Sequence, residues 1–164
     1  VLFVITSVPA IHLSSVLAKL FWRRSTDVAD QWSAPHNKEE RRELLKLLFD
    51  KYIENGKRKA FILGGDVHVG TVARVTEDKK SIYQFTSSPI SNKPAKLWES
   101  LLKIFSSKFE FNLEKDGSRP VHAEIFRRYR QRNFGIVTVT LDSPPKVTLK
   151  MYQEGEGQPD VFSV

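Results

Sequence analysis

Apolar residues recur at helical spacing, with polar residues between them, most clearly after Asn37. Asn37 and Glu40 form a capping-box pattern, and Glu39 adds negative charge where the helix dipole favours it. The apolar positions that then recur on one helical face are Leu44, Leu45, Leu48, Phe49 and Tyr52. Because Glu54 to Gly56 reads "ENG", a typical stop signal, the pattern predicts an amphipathic helix that ends there.

A continuous apolar run, "KAFILGG", follows this helix. A run of strand length without alternation is expected where both faces of a strand are covered. "VLFVITSVP" at the start of the chain also predicts a buried strand, which Pro9 ends because proline removes a backbone donor. A helix followed by a fully buried strand predicts a layered α/β sheet.

Two hairpins are predicted from alternating segments. "GTVARV" and "SIYQFTSS" flank the charged turn "TEDKK", and "FGIVTVTL" and "KVTLKMY" flank "DSPP". We expect the second, terminal hairpin to cover one edge of the sheet. The tail "QEGEGQPDVFSV" is rich in glycine and is predicted to be flexible, which separates residues 1–152 from a tail at residues 153–164.

Two further helices and two irregular segments complete the predicted order. Helical spacing of apolar residues appears from Ile11 to Arg23 and in "KPAKLWESLLKIFSS". The polar, proline-containing "RSTDVADQWSAPH" is predicted as a loop. "KFEFNLEKDGSRP" is ambiguous apart from its Asp116-Gly117 turn signal, and it precedes His122, to which no role is assigned.

Composition narrows the chemistry. The 164 residues are 40% hydrophobic, enough for one globular domain or a piece of a larger one, and no apolar run approaches the ~18 residues of a membrane span. Val1 lies within an apolar run and the only methionine is Met151, so we expect a fragment. Cysteine is absent, which excludes thiolate metal ligands and a cysteine nucleophile and leaves the cellular compartment open.

The net charge of +7 raises the question of an anionic partner. The densest basic segment is "FRRYRQR", in which Phe126 and Tyr129 interleave with Arg127 to Arg132. Such a segment can stack bases and pair phosphates, or it can be a solvated element whose aromatic side chains point inward. We favour the second interpretation, so nucleic acid is the weaker candidate partner.

Asp66 and His68 directly follow the buried run, in "GGDVHVG". Ligands of open α/β sheets bind beyond the carboxyl ends of the strands, and Gly64 and Gly65 allow a tight turn or a close approach there. A carboxylate and an imidazole two residues apart can both reach a metal ion. The alternative, at equal weight, is that Asp66 caps a turn and His68 is a semi-buried structural histidine.

Several blocks in this order resemble a known family. "GGDVHVG" is preceded by "DVADQWSAPHNKEERRELLKLL" and followed by "SSPISNKP" and "RNFGIVTV". From Val1 to Tyr152 the chain resembles the C-terminal half of the PhoD-like alkaline phosphatases and phosphodiesterases, which belong to the calcineurin-like metallophosphoesterases. The resemblance implies a layered α/β sandwich and metal-dependent hydrolysis of phosphate esters at a site with two divalent or trivalent ions (Fe, Mn, Zn or Ca).

The same resemblance implies roles for individual residues. The last metal motif of the superfamily is usually G-H-x-H, and Gly65, Asp66 and His68 fit a variant with Asp in the first position. Asp66 and His68 are thus the expected metal ligands, and His68 is also the candidate catalytic residue. The G-D-x-x-D and G-N-H-D or G-N-H-E motifs are missing, so the resemblance implies that the upstream half of the same domain supplies the other ligands.

Other polar residues receive weaker assignments. Residues that could line the site are His36, Asp30, Ser88 and Asn92. For each of them a structural role in a loop or turn is the alternative, and for His36 we favour it. Asp27 and Asp30 could support metal ligands or brace their loop, and bracing is the expected role of both. His12 follows the first strand near the same rim, but no partner for it is visible in the sequence.

Overall fold

A six-stranded mixed sheet forms the centre of the structure, a computed structural model that describes residues 1–12, 19, 32–53, 58–91 and 107–164. Its strand order is β1-β2-β4-β3-β6-β5. The strands are β1 (Leu2–Ile5), β2 (Ala60–Gly64), β3 (Gly70–Glu77), β4 (Lys80–Thr86), β5 (Lys108–Asn112) and β6 (Pro120–Tyr129).

Strand β2 lies between β1 and β4 and is parallel to both. Its side chains alternate between two hydrophobic clusters: Ala60 and Ile62 belong to one face of the sheet, and Phe61 belongs to the other. The prediction of a central strand covered on both faces is confirmed. The prediction for β1 was wrong in part, because this strand ends at Ile5 and its residues are half-buried or exposed; within the described part of the chain it pairs with β2 alone.

The predicted hairpin of β3 and β4 is confirmed. Its two-residue turn places Asp78 at a φ of +51°. Strands β6 and β5 continue the sheet in antiparallel pairing beyond β3, with a register shift between Val72 and Ala73. The segment that the sequence left ambiguous therefore supplies edge strand β5 and the turn into β6.

Helix α1 (Lys38–Leu47) follows the N-cap position of Asn37, as predicted, and continues as a π-helical turn over Leu48–Tyr52. The side chain of Asn37 makes no capping hydrogen bond. The apolar face of α1 packs on the sheet through Leu45, Leu48 and Phe49. Beside them the buried guanidinium of Arg41 lies 4.2 Å from the centre of the Phe111 ring on β5.

The terminal hairpin is confirmed as a hairpin, but its predicted position was wrong. Strands β7 (Asn133–Thr140), β8 (Lys146–Gln153) and β9 (Asp160–Ser163) form a separate three-stranded sheet. This sheet covers a face of the large sheet and not an edge, since Val147, Leu149 and Met151 pack in one cluster with the side chains of β2, β3, β4 and β6. Every second side chain of β8 is buried, and these side chains form the packing surface.

The segment predicted to be a flexible tail contains β9. This strand pairs with β8, and the Phe162 ring lies 5.1 Å from Phe126 and 5.9 Å from Phe85. Residue 152 therefore does not separate a loose tail from the fold. The glycines that suggested a tail form the turn between β8 and β9, where Gly155 has a φ of +86°.

The described residues thus form three layers: a helix, a six-stranded sheet and a three-stranded sheet. This arrangement confirms the α/β class. The helices predicted at Ile11–Arg23 and after Asn92 fall almost wholly outside the described residues. In the described part of the chain, no helix has both the length and the apolar character that crossing a membrane requires.

Arg119 joins three elements near the end of the β3–β4 hairpin. Its guanidinium donates to both carboxylate oxygens of Glu77 and to the carboxylate of Asp50. The hydrogen bond from Arg119 lowers the pKa of Asp50 from its ordinary value of 3.8. The arginine therefore ties α1 to the large sheet through a forked, charge-assisted contact.

We expect Arg119→Ala to lower the free energy of unfolding by about 1–2 kcal/mol, because two partly exposed carboxylates lose a charge-assisted partner. Urea unfolding at pH 7 measures this. The lowered carboxylate pKa contributes stability above pH 3.8 and loses it as the pH falls through the folded-state pKa, so the cost should shrink near pH 2. Lys115→Ala, at a side chain 80% exposed, is the control and should change little. An equal cost at both pH values would contradict this account.

Candidate functional site

Four connecting segments meet at one end of the large sheet, beyond the carboxyl ends of its parallel strands. Because β1, β2 and β4 are parallel, the chain leaves all three strands at the same end of the sheet, after Ile5, Gly64 and Thr86. The start of β7 reaches the same place through Asn133, which contacts the segment after β4. This end is where α/β sheets bind ligands, so it is the candidate site.

Backbone hydrogen bonds join these segments. The amide of Gly65 donates to Ser7 O at 3.3 Å, and the amide of Ser87 donates to Gly64 O at 3.1 Å. Gly64 is needed here, because a Cβ at this position would lie 3.2 Å from Pro9 Cα. The predicted site-lining residue Gly65 is less restricted, as its Cβ would lie 3.5 Å from the nearest atom.

Asp66 and His68 both adopt the left-handed backbone region, with φ of +54° and +56°. This conformation costs on the order of 1 kcal/mol or more for a residue with a side chain, although Asp and His tolerate it better than most. Asp66 is exposed and His68 is half-buried. The turn therefore holds two polar side chains in a strained backbone at the rim of the sheet.

The contacts of His68 fix its backbone and leave one ring nitrogen without a partner. Its amide donates to Ser88 Oγ at 3.2 Å. Its Nδ1 is buried and has no hydrogen-bond partner among the described residues. A buried nitrogen without a partner is a group that a bound ligand or ion can satisfy.

Asn133 organises the segment after β4, and the sequence did not single it out. Its Oδ1 accepts the Ser88 amide at 3.0 Å, and its Nδ2 donates to Ser88 O at 2.7 Å and to Gln131 O at 2.8 Å. The side chain is 2% exposed and touches Gly70, where a Cβ would lie 2.7 Å from Oδ1. Asn133 thus holds Ser88, which in turn holds His68.

A second buried polar side chain, that of Gln84, also holds the backbone of a connecting segment. Gln84 on β4 accepts the Ile11 amide at 2.8 Å and donates to Ile11 O at 2.7 Å. His12 follows, and burial together with the nearby charge of Arg128 lowers its pKa to about 4, so it is neutral at pH 7. His12 Nδ1 also lacks a hydrogen-bond partner within the described part of the chain.

The basic segment lies on β6 and just after it. Phe126 and Tyr129 pack into the core between the two sheets, which agrees with the prediction that the aromatic side chains point inward. Arg127 is 3.4 Å from the Asp160 carboxylate, and Arg132 is 3.1 Å from that of Glu154. Burial, followed by the hydrogen bond to Asp160, raises the pKa of Tyr129.

The other predicted site residues are distributed as follows. Ser88 lies in the site and accepts the His68 amide. His36 is exposed in the turn before α1, and His122 lies on β6 beside Glu110. Asp27, Asp30 and Asn92 lie outside the described residues. Within residues 1–12, 19, 32–53, 58–91 and 107–164, no group of three or more His, Asp or Glu side chains could hold a metal ion.

Comparisons of the chain with protein-family models, with curated proteins and with solved structures found no match.

The strain at Asp66 can be measured by comparing two substitutions at the same position. Asp66→Gly and Asp66→Ala both remove the carboxylate, but only glycine adopts a φ of +54° without steric cost. We expect the glycine variant to be more stable than the alanine variant by about 1 kcal/mol in urea unfolding. Val67, whose φ is not positive, is the control and should show the opposite order. The same order at both positions would contradict strain at Asp66.

Asn133→Ala should lower the free energy of unfolding by about 2–3 kcal/mol, since the Ser88 amide and two carbonyl groups lose a buried partner. Thermal or urea unfolding measures this loss. Asn112→Ala is the matched control, because Asn112 Oδ1 has no hydrogen-bond partner among the described residues. Equal effects of the two substitutions would show that Asn133 does not hold the segment after β4.

Proposed function

We propose that the chain is part of a metal-dependent phosphoric ester hydrolase, with Asp66 and His68 supplying two of the metal ligands. The observation that carries this proposal is the buried His68 Nδ1, which has no partner among the described residues and lies in a strained turn at the carboxyl ends of parallel strands. The finer fold assignment, a layered sandwich of the metallophosphoesterase type, is part of the same proposal. It is supported by the helix–sheet–sheet order of the described layers.

The donor set at the turn fits a divalent or trivalent ion. Carboxylate oxygen and imidazole nitrogen suit Mn, Fe and Zn, and the carboxylate also suits Ca. The Asp66 side chain is exposed, and the His68 imidazole has a nitrogen that lacks a partner among the described residues. Two ligands hold an ion only weakly, so the other ligands of a two-metal site are expected from the upstream half of the domain.

Metal ions bound with the help of Asp66 and His68 would supply activation of water and neutralisation of charge on the phosphoryl oxygens. The residues of this chain position the ligands for that chemistry. Ser88 fixes the backbone of His68, and Asn133 fixes Ser88 through both its amide and its carbonyl. The tight packing of Gly64 against Pro9 sets where the turn leaves β2. His68 remains the candidate catalytic group, able to hold or release a proton at a ring nitrogen.

The isolated 164-residue chain is expected to bind metal weakly and to hydrolyse phosphate esters little or not at all. This expectation follows from the ligand count, because hydrolysis with two ions requires ligands from several loops. The described residues contribute two of them on one loop.

The alternative function is a noncatalytic module that binds anions or nucleic acid through Arg127 to Arg132. The described contacts favour the hydrolase, because Arg127 and Arg132 already pair with Asp160 and Glu154. A phosphate backbone would have to displace these carboxylates. Binding by this segment should also weaken steeply with ionic strength, which separates it from metal-mediated binding.

Metal content and hydrolysis of a chromogenic phosphodiester, measured on the full-length protein, test the proposal. We expect about two metal ions per chain, and we expect Asp66→Ala and His68→Ala each to lose at least one of them together with turnover. Mass spectrometry of the metals gives the content directly.

Asp78→Ala is the matched control for Asp66→Ala. Asp78 is also an exposed aspartate with a positive φ, but it lies in the β3–β4 turn. Its substitution should leave metal content and turnover unchanged. Full metal content in both Asp66→Ala and His68→Ala would overturn the assignment of these ligands.

A further inference from the structure

A cavity of about 290 Å³ opens beside the candidate site. It is lined by Ile90, Arg132, Asn133, Phe134, Tyr152, Gln153 and Glu154. Its volume is at the lower end of the range for small-molecule sites, roughly 300–1,000 Å³, which suits one ring system better than a large ligand.

The cavity wall has an aromatic surface. The rings of Phe134 and Tyr152, which face each other across β7 and β8, are 4.9 Å apart and inclined by only 8°. Phe134 is 47% exposed and Ile90 is 74% exposed, so large apolar surfaces meet solvent at the cavity. A cross-strand aromatic pair stabilises a hairpin by itself, but it does not require Ile90 to be exposed beside it.

The cavity and the proposed metal ligands share their supporting residues. Asn133 lines the cavity and binds Ser88, and Ser88 binds the His68 amide. Ile90 lies two residues after Ser88, and two residues of chain span at most about 7 Å. The cavity therefore begins within two residues of the segment that holds the His68 backbone.

The polar members of the lining stand beside the aromatic surface. Arg132 Nε lies 3.1 Å from Glu154 Oε2, and Gln153 adds an amide. These side chains supply hydrogen-bond donors and acceptors in the same cavity as the aromatic rings of Phe134 and Tyr152. An alkyl group would use neither the flat surface nor these polar groups.

We propose that this cavity, lined by Phe134, Tyr152 and Ile90, binds a planar aromatic organic group of the phosphate ester, either an aryl group or a nucleobase. The proposal rests on the proposed function, since it names the substrate class of that same site. The substrates preferred by the protein are then esters that carry a flat ring close to the phosphorus atom.

Calorimetric binding of three phosphomonoesters to the metal-loaded, full-length protein tests this inference. The probes are thymidine 5′-monophosphate, 4-nitrophenyl phosphate and glycerol 3-phosphate, which share the phosphate and differ in the ring. Phe134→Leu keeps apolar bulk but removes the flat surface, so we expect it to lower the preference for the ring-bearing probes over glycerol 3-phosphate about tenfold. Phe134→Tyr should restore that preference.

Ile136→Ala is the control for a change on the same strand. Ile136 is exposed on β7 but does not line the cavity, so its substitution should leave the preference unchanged. Loss of preference for thymidine 5′-monophosphate alone assigns a nucleobase, and loss for both ring-bearing probes assigns any planar ring. Equal weakening of all three probes by Phe134→Leu, or no ring preference in the unaltered protein, would overturn the inference.

Hydrolysis measured alongside binding separates the two proposals. Ring-selective binding that depends on Phe134, in a protein without turnover, would support the cavity assignment and overturn the hydrolase. Turnover without ring selectivity would support the hydrolase and overturn the cavity assignment.

Discussion

The parallel pairing of β2 with β1 and β4 is the constraint on which the candidate site depends. Because β2 is hydrogen-bonded on both sides and covered on both faces, its register is fixed. A shift by one residue would exchange Phe61 with Ile62 between two different hydrophobic clusters. The same register places Asp66 and His68 just beyond the carboxyl end of β2. The segments that follow β1 and β4 begin at the same end of the sheet.

Two buried amide side chains hold the connecting segments next to these strands. Gln84 fixes the backbone at Ile11, and Asn133 fixes Ser88. Asn133 is also the first residue of β7, so the position of the three-stranded sheet and the position of His68 depend on one side chain. This dependence explains why the terminal hairpin bears on the site although it contributes neither of the proposed metal ligands.

The local sequence pattern was sufficient to predict the helices and strands that are defined by residues close together in the chain. The α1 face, the buried β2 run and the β3–β4 hairpin each follow from periodicity and turn residues within about 20 positions. The separate sheet could not be predicted in this way, because only burial of Val147, Leu149 and Met151 against distant strands distinguishes a covered face from a covered edge. Asn133 was missed for the same reason, since its partner Ser88 is 45 residues away. Asp66 and His68 were predicted as metal ligands from their position after a buried strand together with the resemblance of the surrounding sequence blocks to a known family.

The residue type found at each positive φ bears on the proposed metal site. At Gly117 and Gly155 the chain uses glycine, which adopts φ of +80° and +86° without steric cost. Asp78 has a positive φ too, but aspartate is a favoured residue in a two-residue hairpin turn. His68 lies in the bend between β2 and β3, and it combines a left-handed backbone with a buried ring nitrogen that lacks a partner among the described residues. Each feature costs on the order of 1–3 kcal/mol, against a typical domain stability of only about 5–15 kcal/mol. A glycine at this position would avoid both costs, and the proposed role of His68 as a metal ligand accounts for a histidine there.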